Sequence, residues 1–353
     1  MHSLVPEWSN RRLPRRVSKR KIRDTVNELG ERAIIEVVRK HLEVSPDSPV
    51  PFGDDVAAVL IDGEHVAVLK TDMLVDRTDV PKGMSLRQAA HKAVVMNVSD
   101  FAAKGVQPLA ALASLGLPRT LTKKEVEEIA EGLNMGAREY GAYLVGGDTG
   151  EASDVVMAVS LYGMALKSRL MLRSGVRVGD VVAVTGLFGK PPAGLRLLNG
   201  ECEVSRELRE VLLDSVFMPK PRLKEGLALA ASDAVTGSID SSDGLAWSLH
   251  ELSRMSGVGF TIDHVPAAEE AKQFAEACGV DVLELTFHGG EEYELVVTVK
   301  PERWNDATAA VETVGSKLLR IGRVTREKQV VLELNGKKRL IEARGWEHFK
   351  SEV

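Results

Sequence analysis

Aspartates stand where the β-prone runs of this chain begin and end. Gly53-Asp54-Asp55 directly precedes such a run, Thr71-Asp72 follows one, and Gly146-Gly147-Asp148-Thr149 follows another. Asp240-Ser241-Ser242-Asp243-Gly244 lies between a β-prone stretch and a helix, and Asn97 and Asp100 share one side of a predicted helix. Any one of these reads as a turn or a helix cap, because aspartate is disfavoured inside strands and common at their ends. Together they could converge at one edge of a sheet, and converging carboxylates repel unless a cation sits among them. Magnesium takes hard oxygen ligands and keeps water and phosphate oxygens in its shell. Two or three such ions could neutralise a triphosphate, and glycines beside the aspartates would let the backbone approach phosphate closely. No G-x-x-x-x-G-K-[ST] run occurs, which excludes a Walker-type nucleotide site, and no His/Cys ligand set points to zinc.

The periodicities around these motifs mix strands and helices without strict alternation. Ile34, Ile35, Val37, Val38 and Leu42 mark a helix ended by Pro46, Pro49 and Pro51. Val56 to Leu60 and Val66 to Leu69 read as a hairpin about Asp62-Gly63. A helix follows Ser85 to Gly105, Leu109 to Leu115 is a strand, and Thr122 with Glu125 forms a capping box for a helix to Tyr140. Tyr143 to Val145 reads as a short strand running into the glycines, and Val155 to Ala165 as a longer one. A basic, turn-rich stretch from Lys167 to Asp180 suggests a domain boundary. Beyond it come a strand at 181–185, a Gly/Pro-rich turn, helices near 205–214, 222–231, 244–257 and 267–278, and strands at 295–299, 318–324 and 330–334. The expected organisation is a basic extension at 1–26, an N-terminal domain at 27–166 and a C-terminal domain at 167–353. The expected class is α/β (α+β) with mixed sheets rather than a doubly wound fold.

With 353 residues, 44% hydrophobic and 27% charged, the chain has the balance of a soluble globular protein of two domains. Aromatic residues at 5% suit an enzyme better than an all-β binding module, and a net charge of -5 argues against a nucleic-acid binder. The exception is Arg11, Arg12, Arg15, Arg16, Lys19, Arg20, Lys21 and Arg23, which read as a solvated arm, the sharper alternative being contact with a partner or an RNA. Cys202 and Cys278 form no C-x-x-C pair and read as plain thiols in a reducing cytoplasm. No apolar run is long enough to span a membrane, so a cytoplasmic protein is expected.

The motifs, taken in order, resemble those of the thiamine-monophosphate kinase family. They are Gly53-Asp54-Asp55, Lys70-Thr71-Asp72, Asn97-Val98-Ser99-Asp100, Gly146-Gly147-Asp148-Thr149, Asp240 to Leu245, and Gly289-Gly290-Glu291-Glu292-Tyr293-Glu294-Leu295, with a terminal Gly345-Trp346-Glu347-His348-Phe349. That family shares a superfamily with aminoimidazole ribonucleotide synthetase (PurM-like), selenophosphate synthetase and HypE. The resemblance implies a two-domain PurM-like fold whose N-terminal-domain strands pair in the barrel of a homodimer, with ATP as co-substrate, several Mg2+ ions and thiamine monophosphate as acceptor. It implies Asp55, Asp72, Asp100, Asp148, Asp240 and Asp243 as metal ligands, with Thr71 auxiliary and Asp148, Asp240 and Asp243 at the centre of catalysis. Asp54, Thr71, Gly146, Gly147, Thr149, Arg173 and Ser242 would bind nucleotide, and Asp79, Glu291 and Trp346 would meet the acceptor. Glu292 departs from the family's usual Asp, and Asp76-Arg77-Thr78-Asp79 from its commoner bacterial form.

Other residues carry blander readings. His91 reads as a helix-surface residue, His288 as a loop histidine, Lys190 as a solvated lysine, and Met96, Met135 and Met157 as core. Trp346 suits either C-terminal packing or stacking on a flat heteroaromatic cation. Two other functions stay open: another ATP-using enzyme of the superfamily, such as a purine-pathway synthetase, and a non-catalytic nucleotide-binding regulator. The Cys positions that selenophosphate synthetase and HypE would need are not matched.

Overall fold

The computed structural model describes residues 25–349, so the basic cluster between Arg11 and Arg23 lies outside the described residues. Contacts divide the chain into two units. The smaller comprises, among described residues, 25–42 and 347–349. The helix expected from Ile34 to Leu42 is present there as Glu31–Arg39, after a single turn Val26–Leu29. Arg32 lies 3.3 Å from Glu347, and the His348 amide donates to Glu31 at 3.3 Å.

The larger unit, Glu43–Trp346, holds two mixed sheets. The first contains β1 (Ala57–Leu60), β2 (His65–Val75), β3 (Pro108–Leu117), β4 (Tyr143–Glu151) and β5 (Val156–Leu166), in the order β1-β2-β5-β3-β4. Only β3 and β4 run parallel. The second contains β6 (Val181–Val184), β7 (Val235–Ser241), β8 (Gly259–Ile262), β9 (Glu294–Val299), β10 (Leu319–Thr325), β11 (Val330–Leu334) and β12 (Lys337–Leu340), in the order β12-β11-β8-β10-β6-β9-β7. Here only β8 and β11 run parallel. This is the mixed α/β architecture expected from strands and helices that do not strictly alternate.

The helix Leu86–Lys104 joins the two sheets. Ser85 and Gln88 cap its start reciprocally, and Gly105, in the left-handed region at φ 66, ends it. It is buried nearly all round, as a helix between two layers must be. Ala90, Val94, Val98 and Phe101 share one core with Val66, Val68 and Leu74 of β2, Met157, Val159 and Leu161 of β5, and Leu229, Leu295 and Val297 from the second half. Among the described residues of this unit, the opposite face of the first sheet has no such cover. Leu69, Met73, Leu112, Tyr143 and Val145 stand exposed there, Met73 at 58% and Val145 at 63%.

Several elements differ from their sequence reading. β2 continues to Val75 because every residue from His65 pairs with β5, so Thr71 and Asp72 sit inside a strand. β4 continues through Gly146-Gly147-Asp148-Thr149, which pair with Leu112 to Leu115. Gly147 makes this pairing feasible, since a Cβ there would stand 1.9 Å from the Ala113 carbonyl oxygen. The expected Gly/Pro turn is the first turn of a helix, Lys190–Leu198, where Pro191 and Pro192 forgo amides that would be unpaired anyway. His91 is buried rather than on a helix surface and bonds Glu139 at 2.8 Å. Among the described residues no helix is long and apolar enough to cross a membrane.

The expectation of two free thiols is overturned. Cys202 and Cys278 form a disulfide, with their Cα atoms 5.7 Å apart. Sequence spacing gave no hint, because the fold brings together positions 76 residues apart beside a satellite core of Ala193, Leu197, Leu212, Ala271, Phe274 and Leu285. Closing so long a loop restricts the unfolded chain. Reduction, or Cys202→Ser, should therefore lower the unfolding free energy by about 2–4 kcal/mol. Denaturant unfolding with and without reductant checks this: the serine variant should no longer respond to reductant.

Candidate functional site: a buried acidic cluster

Four segments deliver carboxylates to one place. Asp54 and Asp55 come from the loop before β1, Asp72 from the helix-facing side of β2, Asp100 from the long helix, and Asp240 from the end of β7. Asp55, Asp100 and Asp240 are buried and each offers an oxygen, the three lying within 4.8 Å of one another. Cations are interleaved with them. Lys70 lies 3.0 Å from Asp72 and 2.9 Å from Asp100. Lys104 lies 2.6 Å from Asp54 and 2.7 Å from Asp55. Arg173 donates from Nε to Asp55 at 2.8 Å, and its Nη2 also bonds that carboxylate. The Ser99 hydroxyl donates to Asp240 at 2.7 Å.

The environment pushes these acids apart. Burial raises the Asp55 carboxyl, but Arg173 and Lys104 more than reverse it, so its pKa falls below the usual range. Asp100 is pushed well up by burial, against the attraction of Lys70, with Asp240, Asp72 and Asp55 adding repulsion. Asp240 is pushed up to about 6, by burial first and then by Asp55. Lys70 is held charged: burial disfavours its ammonium, but Asp100 and Asp72 outweigh it. Such a site strains toward either protons or a metal cation.

Beside it lies the run Gly289 to Leu295. Its backbone crosses the Asp240–Asp243 segment so closely that a Cβ on Gly290 would meet the Ser242 carbonyl at 2.5 Å, and the Glu291 and Tyr293 amides donate to Ser242 and Ser241. Glu291 and Tyr293 adopt φ of 64° and 53°, a conformation costly for side chains of their size. Glu291 pairs with buried Lys92, which also donates to the Asp79 carbonyl at 3.2 Å, so two of the expected acceptor-binding residues share one lysine. The second Glu291 oxygen is buried and has no hydrogen-bond partner. Burial and the carboxylates of Glu291, Asp240, Asp72 and Asp100 raise the Tyr293 phenol well above its ordinary value, which leaves it a proton donor. Glu292, the departure from the family pattern, is buried and accepts from the Gly189 amide. Glu291 and Glu292 line a cleft of about 150 Å3 together with Leu187, Lys190, Met218 and Arg222. The Trp346 amide donates to the Asp243 carbonyl at 3.0 Å, and the indole is 46% exposed.

Other expected residues stand elsewhere in this chain. Thr71 points to the uncovered face of the first sheet, where it bonds Ser160 and the Val159 carbonyl. Gly146, Gly147, Asp148 and Thr149 lie exposed on β4, at the edge of that sheet. Ser242 is exposed and Asp243 half-buried, beyond the three-carboxylate group. Both Asp54 oxygens are committed: Oδ1 to Lys104 and the Asp55 amide, Oδ2 to the Arg173 amide. Of the lysines that organise the site, Lys70 stood in a quoted motif without a role, and Lys92 and Lys104 of the long helix were given none. The available signal was a lysine on the same helix as Asp100 at positions a buried face would occupy.

Asp240 supplies a test of this electrostatic reading. Its folded pKa of about 6 lies above its ordinary 3.8, so the metal-free fold favours the protonated acid. The contribution to stability is complete below pH 3.8 and lost as pH rises through about 6. Asp240→Asn should flatten that decline, as measured by urea unfolding in chelator across this range; an unchanged slope would refute the assignment.

The chain resembles known proteins along most of its length. Residues 53–165 match the N-terminal domain, and residues 177–335 the C-terminal domain, of AIR synthase related protein. A thiamine-monophosphate kinase of Nitrosopumilus maritimus is 36% identical over 80% of this chain and 89% of its own. That of Pyrococcus horikoshii is 37% identical over 89% and 96%. The solved structure of AaThiL complexed with AMPPCP and TMP superposes with a TM-score of 0.80 at 31% identity, covering 92% of this chain and 98% of that one.

Proposed function

This chain belongs to the thiamine-monophosphate kinase family of AIR synthase related proteins, and we propose that the buried acidic cluster is where it transfers phosphate. The reaction is the ATP-dependent phosphorylation of thiamine monophosphate to thiamine diphosphate. The observation that carries the site is the meeting of Asp55, Asp100 and Asp240 oxygens within 4.8 Å.

The donor set suits magnesium: the oxygens are hard, and Asp55 Oδ2 is buried without a hydrogen bond, although Lys104 lies near it. Asp55, Asp72, Asp100 and Asp240 would hold the metal, which would supply positive charge to offset that of the phosphates. Asp243, half-buried on the same loop, would complete the shell from the second half. Lys70 and Arg173 add fixed positive charge. The acceptor is a phosphate monoester, ionised near neutral pH, so no residue need act as a strong base. The task of the protein is to align two polyanions and exclude water, which favours direct in-line transfer without a phosphoenzyme. The acceptor would lie in the cleft beside Glu291, whose free buried oxygen awaits a donor, with Asp79 and Trp346 flanking.

A homodimer accounts for the remaining residues. Pairing two first sheets through their uncovered faces would bury Leu69, Met73, Leu112 and Val145, an apolar patch that a monomer seldom exposes. Thr71, Gly146, Gly147, Asp148, Thr149 and Ser242 would then meet nucleotide at the interface. The same reading divides the chain at 166/167 into a nucleotide-binding, dimerising half and a C-terminal half. It also keeps the protein in the cytoplasm, with its disulfide of the kind some intracellular proteins retain.

The decisive assay pairs ADP release from magnesium-ATP with mass detection of thiamine diphosphate. Stoichiometric diphosphate is expected, and Asp100→Asn should cost about 3–4 kcal/mol of transition-state stabilisation while the protein still folds. ATP turnover without thiamine diphosphate would move the acceptor elsewhere in the superfamily; tight nucleotide binding with no turnover would make the protein a regulator. For the dimer, Met73→Glu with Val145→Glu should halve the mass seen by light scattering, whereas a wild-type monomer would sink that part.

A further inference from the structure

Lys104 is the least accessible cation of the cluster, and phosphoryl transfer gives it no task. Its side chain is wholly buried at the last turn of the long helix. The ammonium lies 2.6 Å from Asp54 and 2.7 Å from Asp55, and it donates to the Ser238 carbonyl at 2.8 Å. Three oxygens from two segments thus surround one nitrogen: the loop before β1 gives two and β7, which carries Asp240, gives the third. Hard oxygens at such spacing, two of them carboxylate, are also the surroundings a divalent ion would choose.

We propose that Lys104 is a resident cation. It fills a place among the carboxylates that would otherwise take a divalent ion, and so removes Asp54 from metal binding and fixes where on Asp55 a metal can sit. This rests on the metal-site reading above. The charge balance supports it. With Asp54, Asp55, Asp72, Asp100 and Asp240 ionised, Lys70, Lys104 and Arg173 leave a surplus of two negative charges among these groups, which one divalent ion cancels. Without Lys104 the surplus rises to three, and Arg173 alone is left to offset the buried carboxylates of Asp54 and Asp55. Lys104 is therefore a positioning residue, acting through Asp54, Asp55 and the β7 backbone.

The test uses Mn2+ alone, without nucleotide, and reads binding stoichiometry by calorimetry and the melting temperature with and without the ion. Lys104→Ala leaves room for an ion and its water. It should bind one Mn2+ more per chain than wild type, melt roughly 5 °C or more lower in chelator, and recover most of that loss in Mn2+. Adding Asp54→Asn should return the count to that of wild type. Should Lys104→Ala fold only when Mn2+ is present during refolding, the proposal stands. If its count matches wild type and Mn2+ raises its melting temperature no further than that of wild type, Lys104 merely fills space and the proposal falls. Failure to fold with Mn2+, and also with Asp54→Asn added, overturns it too. A wild-type protein that binds no Mn2+ while Lys104→Ala binds one would uphold Lys104 and refute the native metal site, so the two readings fail separately.

Discussion

Like-charged carboxylates drawn out of water repel one another, and the larger unit of this protein is organised around bringing five of them together. The cost of burying an ionised acid is large unless a cation accompanies it. Lys70, Lys104 and Arg173 supply that charge from three different segments, and each touches an acid from a segment other than its own. The same ion pairs therefore tie the first sheet, the long helix and the second half into one body. Asp100 and Asp240 remain incompletely compensated, which is why their carboxyls are pushed up, while Asp55, with two cations on it, moves the other way. A site built so is stable enough to fold, yet keeps an appetite for further positive charge.

Backbone crossings do the rest of the positioning. The Asp240–Gly244 turn, the Gly289 run and the Gly345-Trp346 strap approach within distances that leave no space for a side chain: a Cβ on Gly345 would meet the Asp243 carbonyl at 2.3 Å. The left-handed Glu291 and Tyr293 are held there by bonds to Ser241, Ser242 and Lys92, so local strain of order 1–3 kcal/mol each is borne by the surrounding packing. Strain of this sort fixes where a carboxylate and a phenol face the acids, and rigid placement of such groups is what phosphoryl transfer between two anions requires.

The sequence by itself determined the mixed α/β class and the long helix from its Ser85 cap to Gly105, because caps and periodicity are local signals; it placed aspartates at element ends, but that Asp55, Asp100 and Asp240 meet while Asp148 stays exposed on β4 was decided by the fold. It also determined that the charge must be balanced, but not by what. Only the tertiary structure decided that Lys92 and Lys104 of the long helix are buried and that Lys70 of β2 turns to the acids, since a lysine is ordinarily solvated and its burial depends on partners far along the chain. It alone decided that Thr71 and Asp72 part to opposite faces, because strand alternation acts only once pairing with β5 extends the strand past them. The pairing of Cys202 with Cys278 was invisible for the same reason: no local pattern measures the distance between two positions 76 residues apart. Composition and spacing fix what chemistry a chain can hold; which side chains meet is settled by sheet order and by the desolvation that follows when the layers close.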